Sequence, residues 1–166
     1  MRSIRLISSL FLFASFALSA PVRALQLDVT LDRTTSSQRA VEGRDVITHY
    51  LRANLGEPYR FGATGGPQGF DCSGLALRAY AAAGLQLPRL SAQQARVGVP
   101  VAKDAIRAGD LLFYRMRGGK SEQLHVVVYI GAGRAIHASV RHRQVREIDI
   151  TRKVWSSRLV AARSLL

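Results

Sequence analysis

The stretch GPQGFDCSGLALRAYAAAG, residues 66–84, holds the only cysteine in a chain of 166 residues. Asp71 has the short acceptor side chain of a helix N-cap. Beyond it Leu75, Ala76, Ala79, Tyr80 and Ala83 recur at helical spacing, and Gly84 is the residue type that ends a helix. The pattern predicts a helix that opens on Cys72. A thiol in that first turn faces the positive end of the helix dipole and several unpaired N–H groups, which favour the thiolate and can hold an oxyanion. A core cysteine is the other reading, because position 72 shares the face of Leu75, Ala76 and Ala79. Gly74 speaks for the first. A glycine inside a helix costs about 1 kcal/mol relative to alanine, and close approach of another element would account for it.

Upstream, YRFGATGGPQGFD has glycines at 62, 65, 66 and 69 and matches neither GxGxxG nor a phosphate-binding GKS/T loop. Before it, Val41, Val46, Ile47, Tyr50, Leu51 and Leu55 predict a helix over 40–55, stopped by Gly56 and Pro58. Residues 25–39 are polar and read as a loose linker. Downstream, LQLPRLSAQQARVG is a loop with a short helical turn at best. The segments GDLLFYRM, LHVVVYI, RAIHAS and VREIDI are short and β-rich, with SRLVAARSL a weaker strand. Helices followed by a run of antiparallel strands make an α+β pattern, N-terminal helices packed on an antiparallel β-sheet.

The chain opens with Arg2 and Arg5, an uncharged run from Leu6 to Ala20, and small residues after it. That run is shorter than the ~20 residues a membrane-spanning helix needs, so residues 1–24 are expected to be a signal peptide cut after Ala24, or after Ala20. Export to the periplasm or the medium follows. In an oxidising space a lone thiol has no internal cross-link to make. The formal charge is +13, of which Arg2, Arg5 and Arg23 belong to the leader. Such a surface suits a polyanion. With export, an anionic wall polymer or a membrane surface is the expected partner, and nucleic acid is not.

A cysteine nucleophile needs a base. His49 lies on the first helix and His142 in an exposed-looking RHR, whereas His125 and His137 fall on consecutive strands. With Gly131, Ala132 and Gly133 as a three-residue turn, Ile130 faces Arg134 and Val127 faces His137. His125 and His137 then share a face as diagonal neighbours. A two-residue turn would set them on opposite faces. Cys72, His125 and His137 could also supply three metal ligands, but no dense ligand motif accompanies them, and neither metal nor cofactor is expected.

These segments, in this order, resemble the NlpC/P60 family of cell-wall cysteine peptidases. GEPYRFGATGGPQGFDCSGL resembles the family's loop and nucleophile segment, and GLQLPRLSAQQARVG its LPR-x-S-x-x-Q stretch. IRAGDLLFY resembles its GDL-F strand, and LHVVVYIGAGRAIHAS its two histidine strands. The resemblance implies a papain-like fold, with Cys72 as nucleophile, His125 as base and His137 as the orienting third member. It also implies that Tyr59, Asp71 and Ser73 line the site, Tyr59 near the oxyanion and Asp71 as an N-cap, an amine binder, or both. Phe61 and Ala63 stand where members commonly carry tryptophan and glycine, and Val127 where they carry glycine. The Ala63 and Val127 changes are expected to add bulk near the groove.

The expected activity is that of a peptidoglycan endopeptidase acting on a stem peptide or a cross-bridge through an acyl-enzyme. The same fold could serve an amidase, an acyltransferase or an antibacterial effector, and a non-catalytic wall-binding module is the alternative of another class. A module that only binds has no use for the full cysteine–histidine–histidine set.

Overall fold

A computed structural model describes residues 21–116 and 124–166, with side chains from residue 32 onward. Of the expected leader, residues 1–20 lie outside the described residues. The helix expected over 40–55 is the later part of α1 (Pro21–Ala53). Residues 25–39, read from sequence as a loose linker, are helical too. No glycine or proline interrupts them, so nothing local ends the helix on that side. Contacts divide the chain into a unit ending at Ser36 and one running from Ser37 to Leu166, and everything that follows concerns the second. Within it Ile47 and Leu51 are fully buried, while Val41, Val46 and Leu55 remain exposed. Arg44 fixes this end of α1: its guanidinium donates to the Ala108 and Leu166 carbonyls, to Ser164 Oγ, and to Asp110 at 2.9 Å.

The second helix, α2, spans Cys72–Ala82. Asp71 caps it from an extended conformation, accepting from Gly74 N at 2.7 Å. Gly84 turns the chain away with φ of 75°. A single turn, α3 (Ser91–Gln94), follows, and α4 (Lys153–Ser156) is as short. The strands are β1 (Val99–Pro100), β2 (Leu111–Arg115), β3 (Leu124–Gly131), β4 (Arg134–Ser139), β5 (Gln144–Asp149) and β6 (Leu159–Ser164), in one antiparallel sheet of order β1-β6-β2-β3-β4-β5. The weak strand candidate at 157–165 is thus an interior strand, β6, paired with both β1 and β2.

Both faces of the central strands are covered, which is why β2 and β3 read as nearly continuous apolar runs. Leu111, Phe113, Val126, Val128, Ile130, Ile136 and Ala138 form one core with Ile47, Leu51, Leu75, Ala79 and Tyr80. Leu112, Tyr114, Val127, Ala135 and Ala162 form a second on the other face, under Val101, Ile106, Ile150 and Trp155. Val127 is therefore core, 1% exposed, and Ala63 is also buried. The bulk both add relative to glycine goes into packing and not into a groove.

The β3–β4 hairpin reaches its register by a route the sequence did not suggest. Gly131 pairs with Arg134, so the turn is the two residues Ala132 and Gly133. Further along, Tyr129 pairs with Ala135 and Val128 with Ile136, with a bulge between Tyr129 and Gly131. The extra residue at Ile130 offsets the shorter turn. His125 and His137 end on the same face, as a three-residue turn would also have left them.

Candidate active site

The site lies where β3 and β4 part. Tyr129 N donates to the Asp110 carbonyl, so odd-numbered N–H groups of β3 point to β2 and even-numbered ones to β4. The β3–β4 ladder stops at Val128↔Ile136. Beyond that point the helices supply the partners. Val126 N–H is directed at the Cys72 sulfur, and the Leu124 carbonyl accepts from Ser91 Oγ at 2.6 Å. The first turn of α2 thus meets the sheet at its seam, one residue from His125.

Gly74 makes this placement possible. A Cβ there would stand 2.2 Å from the Ala63 carbonyl oxygen, which accepts the Asp71 N–H at 3.0 Å. The glycine-rich loop is laid directly on the first turn of α2.

The second half of the site is a pair of buried rings. His125 Nε2 and His137 Nδ1 are 2.6 Å apart, with the rings nearly perpendicular at 86°. Trp155 on α4 packs edge-on to His137, centroids 5.5 Å apart, and edge-on to Tyr114 at 5.0 Å. Arg146 of β5 is the cross-strand neighbour of His137.

Burial sets the protonation states. It pushes His125 down to about 4. His137 is lowered further, by burial first and then by the charges of His125, Arg146 and His142. Both rings are neutral at neutral pH. Burial also raises the Cys72 thiol, and Asp71 adds to the rise, against the N–H groups of Val126, Ser73 and Cys72 itself. The helix-terminal N–H groups favour the thiolate as the sequence suggests, but desolvation outweighs them. Burial thus favours the neutral form of the Cys72 thiol and of both imidazoles.

Of the other expected site residues, Tyr59 is half-buried and close enough to Cys72 and Asp71 for their charges, after burial, to raise its phenol. Asp71 and Ser73 are buried and held by their own chain. The Asp71 carboxylate takes Gly74 N, Gly62 N at 2.9 Å, Ser73 Oγ, and both terminal nitrogens of Arg89 at 3.1 and 2.5 Å. With those donors its acceptor positions are filled. Ser73 Oγ accepts from Arg89 at 2.8 Å, and its carbonyl from Gln94 Nε2 at 3.0 Å. His49 is exposed on α1, and His142, also exposed, meets Ser139 Oγ at 3.1 Å. Among the described residues no group of three or more His, Cys, Asp or Glu is placed to hold a metal.

Sequence reasoning had passed over Arg89, Gln94, Arg146 and Trp155. The LPR-x-S-x-x-Q stretch was the available signal for the first two. Its arginine clamps the N-cap, its serine closes the seam at Leu124, and its glutamine ties α3 to α2. Trp155 comes to the rings from a separate short helix, and Arg146 from the neighbouring strand, whose register with β4 no motif marks.

The NlpC/P60 family model matches residues 56–164. The chain belongs to the NlpC/P60 family. Among its relatives, the gamma-D-glutamyl-L-lysine dipeptidyl-peptidase of Bacillus subtilis is 36% identical over 109 residues, 66% of this chain and 36% of that protein. The murein DD-endopeptidase MepH of Escherichia coli is 30% identical over 124 residues, 73% of this chain and 45% of that protein. The crystal structure of an NlpC/P60 family protein from Bacillus cereus superposes with a TM-score of 0.68 at 35% identity, covering 74% of this chain and 40% of the other. The chain spans between a third and a half of the length of these relatives. The α+β architecture with its antiparallel sheet is the fold of this family.

Proposed function

We propose that the chain is a cysteine peptidase that cuts amide bonds in peptidoglycan peptides. The observation that carries this reading is the meeting of Cys72, in the first turn of α2, with the strand residue next to His125, whose far nitrogen lies 2.6 Å from His137. The names of the two relatives support peptidoglycan as substrate and point to γ-D-glutamyl bonds and to cross-bridges.

The neutral thiol and imidazoles set the order of events. Nε2 of His125 is engaged with His137, which leaves Nδ1 to take the thiol proton. The proton moves as the sulfur attacks the carbonyl carbon, forming the C–S bond and an oxyanion. The N–H groups that face the sulfur are the stabilising donors, with the Tyr59 hydroxyl in reach of the same region. Collapse breaks the C–N bond, and His125 returns the proton to the leaving amine. Water, activated by His125, then releases the acyl group and restores the thiol. His137 orients the ring of His125 and shares its charge. Asp71 and Ser73 serve as cap and clamp beneath the nucleophile, since Arg89 and the backbone occupy them.

The leader expected at residues 1–24 would deliver the domain from Ala40 to Leu166 to the periplasm or the medium. There its arginine-rich face would dock on an anionic wall polymer or a membrane surface. Digestion of purified sacculi followed by mass spectrometry of the muropeptides tests the activity. Wild-type protein should release fragments whose masses identify one broken amide, and Cys72→Ser should release none. Equal product from both proteins would end the proposal.

A further inference from the structure

Two buried nitrogens beside the imidazole pair, His137 Nε2 and Arg146 Nε, have no hydrogen-bond partner among the described residues. They belong to residues directly opposite each other on β4 and β5, and so to one face of the sheet. Both residues line a groove of about 540 Å³ that also takes in His125.

The 2.6 Å contact admits a proton from either ring, and the role of His125 as base selects the tautomers. If His125 accepts the thiol proton at Nδ1, its Nε2 carries hydrogen and donates to His137 Nδ1. Neutral His137 must then carry its own hydrogen on Nε2. Arg146 Nε is a donor in every state. Each nitrogen calls for an acceptor, and the opposed positions of the two residues on β4 and β5 let one group serve both.

Charge selects its class. Arg141, Arg152 and Arg158 also line the groove. The acids there have partners of their own: Glu147 accepts from Arg134, also in the lining, at 2.6 Å, and Asp149 accepts from Thr151 N and Oγ1. The groove is lined by positive charge with the two buried nitrogens in its wall, and suits an anion with two acceptor oxygens.

We propose that this groove is a carboxylate subsite, where one carboxylate of the peptide being cut accepts from His137 Nε2–H and Arg146 Nε–H. The inference rests on the peptidase reading above, because the tautomer argument starts from His125 as base. A bound carboxylate extends the row from Cys72 through His125 and His137 to a negative charge, so that the substrate itself helps to hold His125 as it becomes charged. His137 becomes a binding residue as well as a positioning one.

The test uses the Cys72→Ala protein, which cannot turn over, and the peptide L-Ala-γ-D-Glu-L-Lys with its carboxyls free or amidated. Binding is read by calorimetry and by the ¹⁵N resonances of His137. The free form should bind at least about tenfold tighter than the amide, the scale of a charge-assisted contact, and should shift His137 Nε2. Arg146→Gln and Arg146→Lys, the latter keeping charge but losing the Nε–H, should each remove most of that preference. Equal binding of the two peptides, an unmoved His137 resonance, or a preference intact in both variants overturns the subsite. So does inorganic phosphate that competes as well as the free peptide binds, since the groove would then attract any anion. Wild-type digestion of sacculi is read separately. Cleavage without carboxylate preference sinks the subsite alone, and preference without cleavage sinks the peptidase reading.

Discussion

The Cβ that Gly74 lacks would stand 2.2 Å from the carbonyl oxygen of Ala63. Contact that close with backbone cannot be relieved by a rotamer change, so the loop or the helix would have to move. Gly74→Ala should lower stability by about 1–3 kcal/mol, the scale of overpacking, although alanine is the better helix former. Urea unfolding reads this directly. Because the loop and the helix meet beside Cys72, catalytic activity should fall even where the variant remains folded. A variant as stable as wild type would mean that the loop yields freely.

Alkylation of Cys72 follows from its burial. The thiol is raised by desolvation and by Asp71, so the rate of reaction with iodoacetamide should climb with pH through a midpoint at or above that of free cysteine, about 8.5. A midpoint below 7 would reveal a preformed thiolate–imidazolium pair and reverse the order of the first step.

Acid should weaken the fold through the same rings. His125 is held near 4 in the folded protein, against about 6.5 in the unfolded chain. Between those values the unfolded chain binds a proton that the native state refuses, so stability is lost as pH falls through that window. From pH 7 to pH 5 the loss is about 2 kcal/mol for one such imidazole. Urea midpoints across that range should drop, and His137→Phe should flatten the curve. A midpoint independent of pH would place both rings in contact with solvent.

The two histidines should separate kinetically. His125→Ala should bring muropeptide cleavage close to background. His137→Gln keeps a hydrogen-bonding group and should retain more turnover than His137→Ala, within the ~10⁴ that triad-orienting residues are worth in serine peptidases. Loss in His137→Gln as complete as in His125→Ala, or an active His125→Ala, would reverse the roles.

Docking on the polymer is tested on the exposed arginines at and around the groove. Arg141 and Arg143 are exposed, whereas Arg146 is partly buried beside His137. Arg141→Glu with Arg143→Glu should reduce binding to intact sacculi, with the deficit shrinking as salt rises. Cleavage of a small soluble muropeptide should fall far less. An equal loss on both substrates would remove the docking role.

What could be read from the chain was local. Asp71 and Gly84 bracket α2 because capping is a matter of neighbouring residues, and Leu75, Ala79 and Tyr80 mark its buried side by spacing alone. The shared face of His125 and His137 was legible from the apolar alternation around them. The turn and bulge that deliver it were not, because two errors of one residue cancel in the register. Residues 25–39 lacked an apolar stripe, and polarity was mistaken for absence of helix. The contacts of Arg44, Arg89 and Trp155 join separate segments of the chain, and no periodicity announces them.

The sheet order also governs when the protein can fold. The last strand in sequence, β6, lies between β1 and β2, and without it β2 presents a bare hydrogen-bonding edge. Pairing across so much chain is slow, since the loop entropy must be lost before contacts form. The sheet cannot close until Leu159–Ser164 has left the ribosome. Truncation before Leu159 should yield aggregates, through the exposed edge of β2, and not a smaller folded domain.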